Sequence, residues 1–186
     1  MKKPSIILLT AALWLGGVAQ GQTLLPGDLL FFEDSAGMGT AIRESTGQYT
    51  HVAMVESVGD TVYIIDATQR YGVSRRPLLR NHPYPAVYRL TVPFDTAAVI
   101  ARAKALVGKP YDDTFLPDND AYYCSELIQV AFDTLFPSAP MNWRDKEGNL
   151  PEYWIEHFKK LGISVPEGVP GTNPTDMSRS PLLHKL

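Results

Sequence analysis

The first half of the chain alternates apolar and polar positions in short bursts separated by turn residues. "LLPGDLLFF" (24–32) opens on a turn signal and ends in an apolar run of strand length. "YTHVAMVESV" (49–58) and "TVYIIDATQ" (61–69) are two further strand-like stretches, and Gly59-Asp60 between them predicts a two-residue hairpin. "GVSRRPLL" (72–79) and "AVYRLTV" (86–92) continue the series across a Pro-rich connection. Residues 35–47 are small and polar, with a short helix predicted around "TAIRES".

Beyond residue 94 the period changes to that of helices. "DTAAVIARAKALVG" (95–108) predicts a helix capped by Asp95 or Thr96 and ended by Gly108. A loop, "KPYDDTFLPDND", leads to a helix that starts near Cys124 and is expected to reach about Phe136. "LPEYWIEHFKKLG" (150–162) is a third helix with Gly162 at its end, and the Pro/Gly-rich stretch 165–183 predicts an extended surface segment. Together these elements predict an α+β fold, an antiparallel sheet followed by helices.

The amino terminus adds a compartment. Lys2 and Lys3 precede a nearly continuous apolar or small run, Ile6–Val18, and Ala19 and Gly21 supply small residues two apart. This is the pattern of a signal peptide cleaved after Gly21, so the expected location is periplasmic or secreted. The apolar run is short for a membrane span, so no stable span is expected after its removal. Residues 22–186 then form a single domain. A formal net charge of -3, from 17 basic and 20 acidic residues, carries no nucleic-acid footprint. One cysteine leaves no internal disulfide and no cysteine-rich zinc site. His51, His82, His157 and His184 lack metal-ligand spacing, so neither a metal nor another cofactor is expected.

The lone cysteine fits two roles. Cys124, Leu127, Ile128, Ala131 and Leu135 share a helical stripe, and a free cysteine packs well as a small hydrophobe. Against packing alone stands its position at a helix N-terminus, where the macrodipole favours a thiolate. An unpaired thiol in an exported protein is also an oxidation liability.

A nucleophilic thiol needs a base, and His51 is the best placed. It is either that base or a histidine satisfied at a strand end. With a two-residue turn at Gly59-Asp60, Ala53 opposes Asp66 and His51 opposes Thr68, which makes Asp66 the diagonal neighbour of His51 on one face. A three-residue turn would move Asp66 to the other face. Cys124, His51 and Asp66 then supply the nucleophile, base and orienting group of acyl transfer.

"PGDLLFF" followed by "THVAMV" resembles the glycine-aspartate and histidine strands of the NlpC/P60 cysteine peptidase superfamily. The cysteine element "GKPYDDTF…YYCSELI" follows these strands instead of preceding them. That order, with the terminal "NPTDMSRSPLL", resembles the circularly permuted branch, the YiiX/YaeF-like permuted papain-like amidases. The resemblance implies a permuted papain-like fold in which the antiparallel sheet packs against helices that include the cysteine helix. It implies Cys124 as nucleophile, His51 as base, and a polar third residue after the histidine strand: Asp66, or else Thr68 or Gln69. Asp28 is either a turn residue or part of the site, and Tyr111, Tyr122 and Tyr123 either line the cleft or belong to the core. The implied activity is a cysteine hydrolase of amide or ester bonds acting through a thioacyl-enzyme, with peptidoglycan-type peptides as substrate. The alternatives are a lipid-directed acyl hydrolase or acyltransferase, and a non-catalytic binding module of the same fold.

Overall fold

The computed structural model describes residues 23–79 and 85–186. The signal-peptide expectation for residues 1–21, and most of the Pro-rich connection ahead of residue 86, lie outside the described residues. The first elements are β1 (Leu29–Phe32), α1 (Met38–Thr46), β2 (His51–Ser57), β3 (Tyr63–Thr68), β4 (Gly72–Pro77) and β5 (Ala86–Leu90). They are followed by α2 (Thr96–Ala105), α3 (Cys124–Ala131), β6 (Ala139–Pro140), α4 (Glu152–Leu161), β7 (Pro170–Gly171), α5 (Pro174–Ser178) and β8 (Leu183–Lys185). Among the described residues six strands form one antiparallel sheet in the order β4-β3-β2-β1-β5-β8. The fold is α+β, as the sequence predicts.

Alternation along the central strands gives the sheet two buried faces. Leu29, Phe31, Val52, Met54, Ile65 and Ala67 pack with Val99 and Ala103 of α2 and with Cys124, Leu127, Ile128 and Ala131 of α3. Leu30, Phe32, Ala53, Val55, Ile64 and Val87 form a second core on the opposite face. A third, aromatic core of Phe115, Tyr123, Trp143, Trp154 and Phe158 ties α4 to the loop ahead of α3.

Local chemistry explains the helix ends. Asp95 caps α2, its carboxylate accepting the Ala98 N–H at 2.9 Å. Gly162, at φ 72°, closes α4 in the left-handed conformation. The cysteine helix is shorter than its apolar stripe suggests. It ends at Ala131, because Asp133 takes φ 57° and only a 3-10 turn, Asp133–Leu135, follows. Residues 165–183 are also not simply extended over the surface. They contain α5, which buries Thr175 and Met177, and they lead into β8 at the sheet edge.

The β2–β3 connection differs from the expected two-residue hairpin. Ser57 pairs with Tyr63, leaving a five-residue connection, and the register then shifts at Glu56 so that Val55 pairs with Ile64 and Met54 with Ile65. An odd connection alone would put Asp66 on the face opposite to His51. The extra residue, Glu56, is a β-bulge that restores the predicted register. Glu56 is buried and is held by Arg75 at 3.1 Å and by Lys104. Burial favours the neutral acid, but hydrogen bonds from Lys104, Ser57 and Arg75 outweigh it and lower the Glu56 pKa to about 2.

Glu56→Gln should therefore destabilise the protein at pH 7 by about 1–2 kcal/mol, the half-exposed cations being screened by solvent. A depressed carboxylate pKa stabilises above the unfolded value and loses that contribution as pH falls through the folded one. The stability gap between wild type and variant, followed by urea unfolding, should thus close between pH 4.5 and about 2.

Candidate active site

Three neighbouring strands each contribute one polar side chain to the same face. The register that pairs Met54 with Ile65 puts His51 opposite Thr68, with Asp66 as its diagonal neighbour. His51 Nε2 lies 2.9 Å from Asp66 Oδ2. On the other side β3 pairs with β4 so that Asp66 faces Ser74 and Ile64 faces Arg76, which makes Arg76 the diagonal neighbour of Asp66. Arg76 Nε donates to Asp66 Oδ1 at 3.0 Å and Arg76 Nη2 donates to Asp66 Oδ2.

Cys124 comes from the helix-covered face. It is the first residue of α3, and its stripe-mates Leu127, Ile128 and Ala131 are buried against the sheet. His51 is the first residue of β2 and pairs with Phe32, the last residue of β1. Thiol and imidazole thus meet at one end of the sheet, where a cleft of about 430 Å³ takes its lining from both faces: Cys124, Ala67 and Tyr111 with His51, Phe32 and Arg76.

The electrostatics converge on His51. Burial works against its cationic form, but hydrogen bonds to Asp66 and Cys124, together with their negative charge, outweigh burial and raise its pKa to about 10. Asp66 is fully buried. Burial favours its neutral form, yet hydrogen bonds and charges from His51 and Arg76 prevail and lower its pKa.

Two other ionisable groups near the thiol are shifted toward their neutral forms. Burial and the Cys124 charge push the Tyr111 phenol well above its usual value. Burial and the neighbouring Asp112 charge raise Glu126, at the third position of α3, to about 8.

The remaining candidates separate cleanly. Thr68 Oγ1 accepts the Tyr71 N–H at 3.3 Å and Gln69 Nε2 donates to Asp113 at 2.6 Å, so both line the cleft with their hydrogen bonds directed to groups other than His51. Asp28 is buried and accepts two bonds from Arg89, at 2.7 and 2.8 Å, and one from the Leu25 N–H. It anchors the turn before β1. Tyr111 lines the cleft, whereas Tyr123 belongs to the aromatic core and accepts the Thr172 N–H at 3.0 Å. Arg76 is absent from the candidates read from the sequence. Carrying the register arithmetic one strand further, across β3 and β4, would have found it.

A thiol on a helix N-terminus, an imidazole and a buried carboxylate, set on a sheet-and-helix scaffold, are the equipment of a papain-like thiol enzyme. Residues 23–186 match the family described as permuted papain-like amidase enzyme, YaeF/YiiX, C92, and the chain belongs to that family of cysteine peptidase-like hydrolases. Among solved structures it is similar to the metalloprotein yiiX from Escherichia coli O157:H7, with 22% identity and a TM-score of 0.73 over 87% of this chain and 95% of that one. No curated protein matches. Although that relative is described as a metalloprotein, among the described residues here no group of three or more His, Cys, Asp or Glu side chains could hold a metal ion.

The His51 ring should remain an imidazolium at pH 8, seen by ¹⁵N NMR of its two ring nitrogens. A raised imidazole pKa stabilises the fold fully below the ordinary 6.5 and loses that contribution as pH rises through about 10. Asp66→Asn removes the principal counter-charge, so the His51 titration should move down. It should also cost about 3 kcal/mol of stability by leaving Arg76 unpaired. An unmoved titration in Asp66→Asn would contradict this account of the pair.

Proposed function

We propose that the chain is an exported thiol amidase that cleaves an amide bond in a peptide substrate through a thioacyl-enzyme intermediate. The observation that carries this reading is the bond between His51 and the buried Asp66 at a cleft that Cys124 also lines. In the proposed reaction the Cys124 thiolate attacks the carbonyl carbon, and the Cys124 backbone N–H at the start of α3 is positioned to stabilise the oxyanion. The His51 imidazolium gives its proton to the leaving amine as the C–N bond breaks. His51 then takes a proton from water as the oxygen attacks the thioester, and the Cys124 sulfur leaves as the thiolate, which restores the starting pair with the His51 imidazolium and releases the acid. Asp66 keeps the imidazole oriented and stabilises its charge.

The cleft favours peptides over lipids. Glu33, Asp34 and Arg76 line it together with apolar Met38, Ile42 and Leu78, a mixture suited to a charged, hydrogen-bonding chain. The apolar pocket on the other side of Cys124, walled by Phe115, Met141 and Trp143, offers only about 30 Å³. That is room for one small group and not for an acyl chain. Peptidoglycan-type peptides fit both this cleft and the export suggested by the basic, apolar amino-terminal segment.

Iodoacetamide should alkylate Cys124 in the folded protein at pH 6 much faster than it does a model thiol. Labelling that needs denaturant would return Cys124 to a packing role and remove the mechanism. Soluble peptidoglycan fragments and acyl lipids, incubated with wild type and Cys124→Ala, would identify the bond cleaved. On the responsive substrate His51→Ala should lose activity as severely as Cys124→Ala, because members of such a unit are not additive. Asp66→Asn should lose about 10-fold to 10⁴-fold. Mass spectrometry of the native protein should find its amino terminus near Gln22.

A further inference from the structure

Asp66 is fully buried, and its Oδ2 is shared between His51 and Arg76 while Arg76 also holds Oδ1. A carboxylate with a single cation beside it can settle its charge by taking that partner's proton. We propose that Arg76 is a positioning residue for the reaction, gripping both oxygens of Asp66 so that the carboxylate stays ionised, keeps its plane, and leaves the proton on His51. The inference rests on His51 being the base.

The geometry sets the direction of the effect. Arg76 bonds directly to both oxygens of the carboxylate, so its fixed charge pulls the carboxyl pKa down further than the imidazole pKa and holds the two apart. A two-pronged grip also fixes orientation, which a point charge does not. The charged groups around Asp66 are few. His51 faces it from β2 and Arg76 from β4, and Cys124 of α3 acts through His51. Glu33 and Asp34 face the same cleft from the segment after β1, with Glu33 3.7 Å from Arg43. Arg75, next in sequence, is committed to Glu56.

The test follows the Asp66 carboxyl carbon by ¹³C NMR in a Cys124→Ala chain, so that its outcome is independent of whether the thiol is a nucleophile. In R76M the carboxyl should titrate about one pH unit or more higher than in the parent, and R76K, which restores charge without the fork, should recover most of the difference. If R76M does not fold, R76Q makes the same comparison with a neutral side chain that can still hydrogen-bond. In the chain with Cys124 intact, the acid limb of the alkylation rate should move up in R76M and back in R76K. Coincident Asp66 titrations in the parent, R76K and the neutral variant would reduce Arg76 to a brace for β4 and overturn the proposal.

Discussion

Because side chains alternate along a strand, one inserted residue in β2 decides which face of the sheet carries the polar row. The five-residue connection between β2 and β3 would by itself set Asp66 beside Met54, under α3 and away from His51. Glu56 corrects the count. Its carboxylate points to the helix-covered face and must be neutralised there, by Lys104 of α2 and Arg75 of β4. The next residue along β4, Arg76, points to the other face and meets Asp66. Two consecutive arginines thus serve two buried carboxylates on opposite sides of one sheet, one fixing the register and the other facing the cleft.

The sequence-based register was right through two deviations that cancel. A two-residue turn and a five-residue connection with one bulge bring the same residues opposite each other. The bulge itself leaves no mark in a hydrophobic pattern, since Glu56 reads as an ordinary solvent-facing position until its cations are located. Helices with Asp or Gly at their ends were legible because caps are local chemistry. The early end of α3 was not, because Asp133 in a left-handed conformation interrupts a stripe whose apolar spacing continues to Leu135. Composition also misled at the carboxyl terminus, where proline and glycine flank a short helix and a strand. Buried Thr175 receives the Tyr49 N–H and donates to the Tyr49 carbonyl, joining that segment to the residues just before β2.

The loop ahead of α3 is anchored to the strand that carries Arg76. Val73 N–H donates to the Lys109 carbonyl and Gly108 N–H to the Val73 carbonyl, each at 2.9 Å. Gly72 sits at φ 61° with its α-carbon so close to Lys109 that a β-carbon would lie 2.3 Å from that carbonyl oxygen. A side chain at Gly72 would force the two backbones apart, and the displacement would reach the segment leading to Cys124.

Chain order gives the site a sequence in time. His51, Asp66 and Arg76 sit on strands that are consecutive in the chain, so their contacts close over short loops. Cys124 arrives from a helix that packs back across β1–β5, a longer and entropically more expensive closure. The charged row can therefore close through local contacts, whereas Cys124 joins it through the longer-range docking of α3. In an ordinary papain-like order, with the cysteine helix first, the nucleophile is instead present from the start of synthesis. Permutation here brings the cysteine to the charged row from later in the chain than any residue of that row.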